Sequence, residues 1–170
     1  PNEGKTSVSF QLCLSLAESG KQTILVDADL RKSVLRGRYK ANREKYGLSH
    51  YLSGQVELDD ACCRTNVNNF DIIFAGPVPP NPSELLGGDA FRNMLEVLRM
   101  KYDYVIVDTP PLGSVIDAAI VGAICDGTVI VVESGAISYK FVQNVKEQLN
   151  KVGCRILGCV LNKVNTKKKI

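Results

Sequence analysis

Gly4-Lys5-Thr6 opens a stretch in which apolar residues recur with helical spacing, at Val8, Leu12, Leu16 and Ala17, until Gly20 supplies a helix C-cap. A glycine, a lysine and a hydroxyl residue entering a helix form the second half of the phosphate-binding pattern G-x-x-x-x-G-K-[ST]. In such a loop, successive backbone N–H groups and the helix N-terminus surround a β-phosphate, and the lysine reaches the β- and γ-phosphates. Lys5 is that lysine, and the Thr6 hydroxyl is a candidate Mg²⁺ ligand. The leading glycine of the pattern and the strand that feeds the loop are expected ahead of Pro1. Residues 1–170 therefore read as a single domain that lacks its first strand and the start of its P-loop.

Two further sets of acids fit the same chemistry. Asp108 ends the apolar stretch "YVIVD". At the C-terminal end of a parallel strand a carboxylate faces the crevice where ligands bind, which makes Asp108 a Walker-B type metal ligand or, alternatively, a cap for the turn Thr109-Pro110-Pro111. "ILVDADLRKS" delivers Asp27 and Asp29 two positions apart, an alternation that puts both on one side of a strand. Acids beside a metal-bound triphosphate bind the metal or accept a proton, and a purely structural role is the alternative for each, more so for Asp29.

These residues need a scaffold that brings strand ends to one edge. "TILVDAD", "FDIIFAG", "YDYVIVDTPP", "GTVIVVESG" and "CRILGCVLN" are continuous apolar runs bounded by turns, with helical patterns over 89–100, 114–124 and 138–152 between them. That alternation predicts a doubly wound, mostly parallel α/β sheet of the P-loop type, with strands buried on both faces. The polar region from Arg36 to about Asn69 reads as an exposed excursion followed by short helices. "NPSE" fits a helix start, with Asn81 as N-cap, Pro82 at the first helical position and Glu84 closing a capping box.

Composition limits the alternatives. With 170 residues, 45% of them hydrophobic and 23% charged, the chain has the apolar content of a packed domain. No apolar run approaches the roughly 20 residues that cross a bilayer, so a soluble chain is expected. The six cysteines show no metal-ligand spacing and are expected to be reduced and mostly buried. The net charge of +3 is matched by the run Lys167-Lys168-Lys169, read as a solvated tail, and nucleic acid is not an expected partner. His50, the sole histidine, is expected in a surface or half-buried structural role.

The wording of these motifs resembles a family. "PNEGKTS", "ILVDADLRKS" and "YVIVDTPP" are similar to the Walker A, A′ and B motifs of the bacterial tyrosine kinases that control capsule and exopolysaccharide synthesis, and "GPVPPNPSELL" resembles a further stretch of them. The resemblance runs from Pro1 to about Asn162. It implies an ATP-dependent protein-tyrosine kinase with ATP and Mg²⁺ as cofactors. Gly4, Lys5, Thr6, Ser7 and Asn162 would bind nucleotide, with Asn162 at the adenine unless it is a plain turn residue. Thr6, Asp27 and Asp108 would hold the metal. Asp27 would take the proton of an attacking tyrosine while Asp29 supports it, or the two would exchange roles. Asp117 would lie near the γ-phosphate or on a helix surface. The implied partners are a membrane-embedded polysaccharide co-polymerase or activator, a protein tyrosine substrate and further copies of the full-length protein, in the cytoplasm at the inner face of the membrane. The family usually carries a C-terminal tyrosine cluster, and this chain has no tyrosine after Tyr139. A MinD- or ParA-like ATPase switch and a non-enzymatic nucleotide-bound scaffold are the alternatives. Residue Pro1 stands where such switches carry the first of paired glycines, which favours the kinase.

Overall fold

The computed structural model describes residues 3–38, 46–110 and 115–165. Pro1, Pro111, Ser114 and the lysine run 167–169, all used above, lie outside the described residues. The chain divides into two compact units, one of residues 6–110 and one of residues 1–5 with 111–170.

The first unit is built on four strands, β1 (Thr23–Asp27), β2 (Cys62–Arg64), β3 (Phe70–Ile73) and β4 (Tyr104–Asp108), in the order β2-β3-β1-β4. β1 runs parallel to both β3 and β4, and β2 is an antiparallel strand at the edge that the apolar pattern did not predict. Helix α1 (Lys5–Glu18) leads into β1. It stops as expected at Gly20, whose φ of +85° suits glycine, and Lys21 N–H donates to the Leu16 carbonyl at 3.1 Å. Of the four apolar positions read from its period, Ala17 is buried and Val8 and Leu16 are half-buried. Cys13 and Ala17 pack against Leu25, Phe70, Ile72 and Phe74, with Phe10 edge-to-face on Phe70, while Leu12 stays 44% exposed. Several apolar residues crowd α1, so the side on which the sheet lies decides which are covered.

Four short helices follow in this unit, α2 (Leu35–Arg38), α3 (Leu48–Leu52), α4 (Leu58–Ala61) and α5 (Pro82–Gly87), and then α6 (Asp89–Lys101). α3 is tied to the chain beyond β3: Leu48 N–H and Ser49 N–H donate to the carbonyls of Phe74 and Ala75. His50 is half-buried there, its Nδ1 accepting the Gly47 N–H. α6 buries Phe91, Met94, Leu95 and Leu98 at the 3–4 residue spacing of an amphipathic helix.

In the second unit α7 (Val115–Ile124) precedes β5 (Thr128–Glu133), α8 (Tyr139–Lys151) and β6 (Ile156–Asn162). β5 and β6 pair in parallel, the strand–helix–strand unit the sequence predicted. Ala119, Ile130, Val132, Val145, Leu149 and Cys154 form its core. Ser138 caps α8, its hydroxyl accepting the Phe141 N–H.

Burial corrects the expectation that every strand is covered on both faces. β1 is buried throughout, being flanked by strands on both sides. β4 runs from exposed Tyr104 through three half-buried residues to buried Asp108, and most of β6 is exposed, including Leu157 and Leu161. Both end their respective sheets. The cysteines follow suit: none of the six is in a disulfide, but only Cys13 and Cys154 are buried, and Cys159 on β6 is exposed.

Candidate functional site

Parallel pairing brings the first two acids together. In the register of β1 and β4, Asp27 lies opposite Asp108, each as the last residue of its strand. The carboxylates therefore meet at the C-terminal sheet edge, where α/β folds bind ligands. Asp27 is 1% exposed and Asp108 3%. Asp27 Oδ2 accepts the Ser33 hydroxyl and its Oδ1 accepts the Asp29 N–H at 3.2 Å. Asp108 Oδ1 accepts the Ser9 hydroxyl, also at 3.2 Å. Burial raises the Asp27 carboxyl, the Ser33 hydrogen bond opposes this and the charge of Asp108 adds to it, so that its pKa is pushed up to about 7.

Thr6 stands three residues before Ser9 on α1, on the same helix face. Asp29 is half-buried, and its Oδ1 accepts the N–H groups of Arg31 at 3.2 Å and Lys32 at 2.9 Å. Its side chain thus caps the turn after β1. Arg31 Nη2 donates to Ser83 Oγ at 2.9 Å, joining the "NPSE" helix to the loop after β1. Asn81 precedes that helix and Pro82 occupies its start, as predicted, but no capping box forms. Asn81 Nδ2 instead donates to Glu84 Oε2 at 2.8 Å.

Ser9, Ser33 and the Arg31–Ser83 link were missed by sequence reasoning. Ser9 could have been found from its position one turn beyond Thr6. Arg31 and Ser83 are 52 residues apart, and neither motif announces the other.

The second unit holds the loop itself. Lys5 Nζ lies 2.8 Å from Glu3 Oε2, with the side chains 17% and 8% exposed. Burial raises the Glu3 carboxyl, but the hydrogen bond and charge of Lys5, with backbone hydrogen bonding, outweigh it and bring its pKa down to about 2. Gly4 has φ +87°, and a Cβ there would stand 2.3 Å from Asn162 Nδ2. Glycine is therefore required on two counts. Asn162 ends β6 opposite Glu133, and its carbonyl accepts the Ser134 N–H at 2.9 Å. Its Nδ2 donates to the Glu3 carbonyl at 2.9 Å. Asp117, in α7, is fully buried, which corrects its helix-surface reading.

The donor set fits the cofactors. Among the described residues no group of three or more His, Cys, Asp or Glu side chains could hold a metal ion alone. Two buried strand-end carboxylates beside a hydroxyl-bearing helix start suit Mg²⁺, which binds through one or two carboxylates and completes its octahedron with water and substrate phosphate. Burial first, and then the charge of Asp108, penalise the ionised Asp27 carboxyl, a penalty that a divalent cation would offset. A cavity of about 460 Å³ lined by Asp59, Cys62, Arg64, Asp71, Lys101 and Tyr102 contains none of these residues.

Over residues 3–157 the sequence matches the family described as an AAA domain. It is 47% identical over 163 residues to the tyrosine-protein kinase CpsD of Streptococcus agalactiae, a match covering 96% of this chain and 71% of that protein. The kinase domain of the Escherichia coli tyrosine kinase Etk has a TM-score of 0.94 at 38% identity, covering 100% of this chain and 66% of that one. The septum site-determining protein MinD from Pyrococcus horikoshii, solved with Mg-ADP, has a TM-score of 0.79 at 26% identity, covering 95% and 65%.

Proposed function

From the chain's membership of the bacterial tyrosine-protein kinase family, we propose that it carries the phosphoryl-transfer machinery of a capsular or exopolysaccharide kinase. The observation that carries this reading is the register-matched pair Asp27 and Asp108, buried at the ligand edge.

The roles follow from chemistry. Lys5 binds the β- and γ-phosphates of ATP, with Gly4 and Ser7 and their neighbours in the loop supplying backbone N–H groups. Thr6, Asp108 and Asp27 would hold Mg²⁺, which would neutralise charge on the transferring group. Asp27 accepts the proton as a tyrosine Oη forms its bond to the γ-phosphorus and the bond to the bridging β–γ oxygen breaks, leaving ADP. Asp29 orients Asp27 through its backbone N–H, a division of labour supported by the side chain of Asp29 being engaged in the turn. Most of the catalysis is positioning and charge stabilisation.

Regulation and place belong to the same reading. A membrane-embedded polysaccharide co-polymerase activates the kinase at the inner face of the membrane, and copies of the full-length protein associate and phosphorylate one another's tyrosines. Among the described residues no helix is long and apolar enough to cross a membrane, which suits attachment through a partner or a fused segment.

The test is incubation of the full-length protein with Mg²⁺ and γ-labelled ATP, followed by phosphoamino-acid analysis. Label on tyrosine is expected. ATP hydrolysis with no labelled tyrosine contradicts the proposal and favours a MinD-like switch.

A further inference from the structure

The lysine of the loop is paired with a carboxylate two residues before it. Glu3 and Lys5 are on either side of Gly4, and their side chains meet at 2.8 Å with little exposure to solvent. The pair is built into the fold from both directions. The Glu3 carbonyl is pinned by Asn162 Nδ2, and Asn162 is itself held by the Ser134 N–H and by its register opposite Glu133 on β5. Gly4 allows the tight approach, because any side chain there would strike the Asn162 amide.

We propose that Glu3 is a positioning residue for Lys5, a built-in counter-ion that nucleotide phosphate must displace and that thereby weakens nucleotide binding and speeds ADP release. The proposal rests on Lys5 being the phosphate-binding lysine. A phosphate that takes the Lys5 ammonium arrives beside a carboxylate anchored to the same loop. Two effects then oppose binding: an ion pair is broken, and like charges are held within a few ångströms in a part-buried setting where screening is weak. Glu3 remains ionised at neutral pH because Lys5 and the surrounding hydrogen bonds favour its charged form. The carboxylate also keeps the ammonium in the loop while the site holds no phosphate, which spares Lys5 a search among rotamers.

The sign of this effect separates it from a structural role. A residue that merely supports the loop weakens nucleotide binding when it is replaced, whereas a displaced counter-ion strengthens it. In the full-length protein, Glu3→Gln keeps the size of the side chain and removes its charge. Its dissociation constant for ADP, read by titration of a fluorescent ADP analogue, is expected to fall roughly tenfold, with turnover at saturating ATP reduced by slower release. Glu3→Ala shifts affinity in the same direction, which guards against a fault peculiar to the amide. Thermal melts check that each variant is folded.

Lys5→Met is the control that tells the two readings apart. If it abolishes ADP binding while a folded Glu3→Gln binds no more tightly than the parent, the counter-ion role is overturned and the loop assignment stands. If Lys5→Met binds ADP as the parent does, Lys5 is not the phosphate lysine, and both the loop assignment and the role of Glu3 are overturned.

Discussion

Glu3 and Asp27 are both almost fully buried acids, and they titrate at opposite ends of the range. Burial pushes each carboxyl upward. For Glu3 the ammonium of Lys5 at 2.8 Å reverses that push, and the pKa falls to about 2. For Asp27 the neighbour across the strand pair is another acid, Asp108, and the pKa climbs to about 7. Burial raises both carboxyls, and the outcome differs because Glu3 has a lysine beside it to offset that push while Asp27 has only a hydroxyl and a backbone N–H opposing it and a second acid adding to it. The loop sets its acid against a lysine, whereas the strand ends set one acid against another. Under the proposed function the second arrangement would hold a metal ion, and the first would compete with phosphate for Lys5.

The contrast can be broken by altering either acid's surroundings. The larger effect is expected at Asp27. Its pKa is raised above the unfolded value of 3.8, so its contribution to ligand-free stability is most favourable below about pH 4 and is lost as pH rises through 7. Asp27→Asn removes that loss. Without nucleotide or metal, the variant should be more stable than the parent at pH 8, by about 1–3 kcal/mol once the altered bond to Ser33 is allowed for, and the gain should vanish near pH 4. Denaturant melts across that range check it, and a variant destabilised equally at every pH would show that Asp27 carries no excess charge cost.

The smaller effect belongs to the loop. Lys5→Met leaves the Glu3 carboxylate buried without its closest cation, and a loss of about 1–2 kcal/mol is expected. Removing both charges in Glu3→Gln/Lys5→Met should restore most of it. The Glu3 pKa is depressed, so its stabilisation is present above about pH 4.5 and lost as pH falls toward 2, and the destabilisation of Lys5→Met should fade over that acid range. A double variant no more stable than Lys5→Met would mean the pair contributes nothing to the fold.

Much of this architecture was legible in the sequence because strand ends announce themselves. An apolar β-branched run that stops at an aspartate fixes both the strand and the edge to which the acid points, and Asp27 and Asp108 needed only parallel pairing to meet. The helices of the second half were equally plain: Ser138 and Val152 flank α8 as its caps. What could not be read depends on partners distant in the chain. The three-residue strand β2 has no pattern of its own and exists because β3 offers an edge. The exposed side of α1 at Leu12 and the open surface of β6 reflect which neighbours cover an element, a property no local period encodes. Asn162 was expected from the resemblance to face adenine, and its contact with the Glu3 carbonyl spans 159 residues of sequence.

The central claim is that Asp27 acts on the transferring proton and its metal while the loop holds the phosphates. It is tested most directly by measuring, on one preparation of full-length Asp27→Asn, both the rate of phosphotyrosine formation at saturating Mg²⁺·ATP and the dissociation constant for ADP. Transfer should fall by roughly 10²- to 10⁴-fold, as loss of a general base costs, with ADP affinity within a few-fold of the parent. Parallel losses in both quantities would assign Asp27 to simple binding, and undiminished transfer would remove it from the reaction altogether.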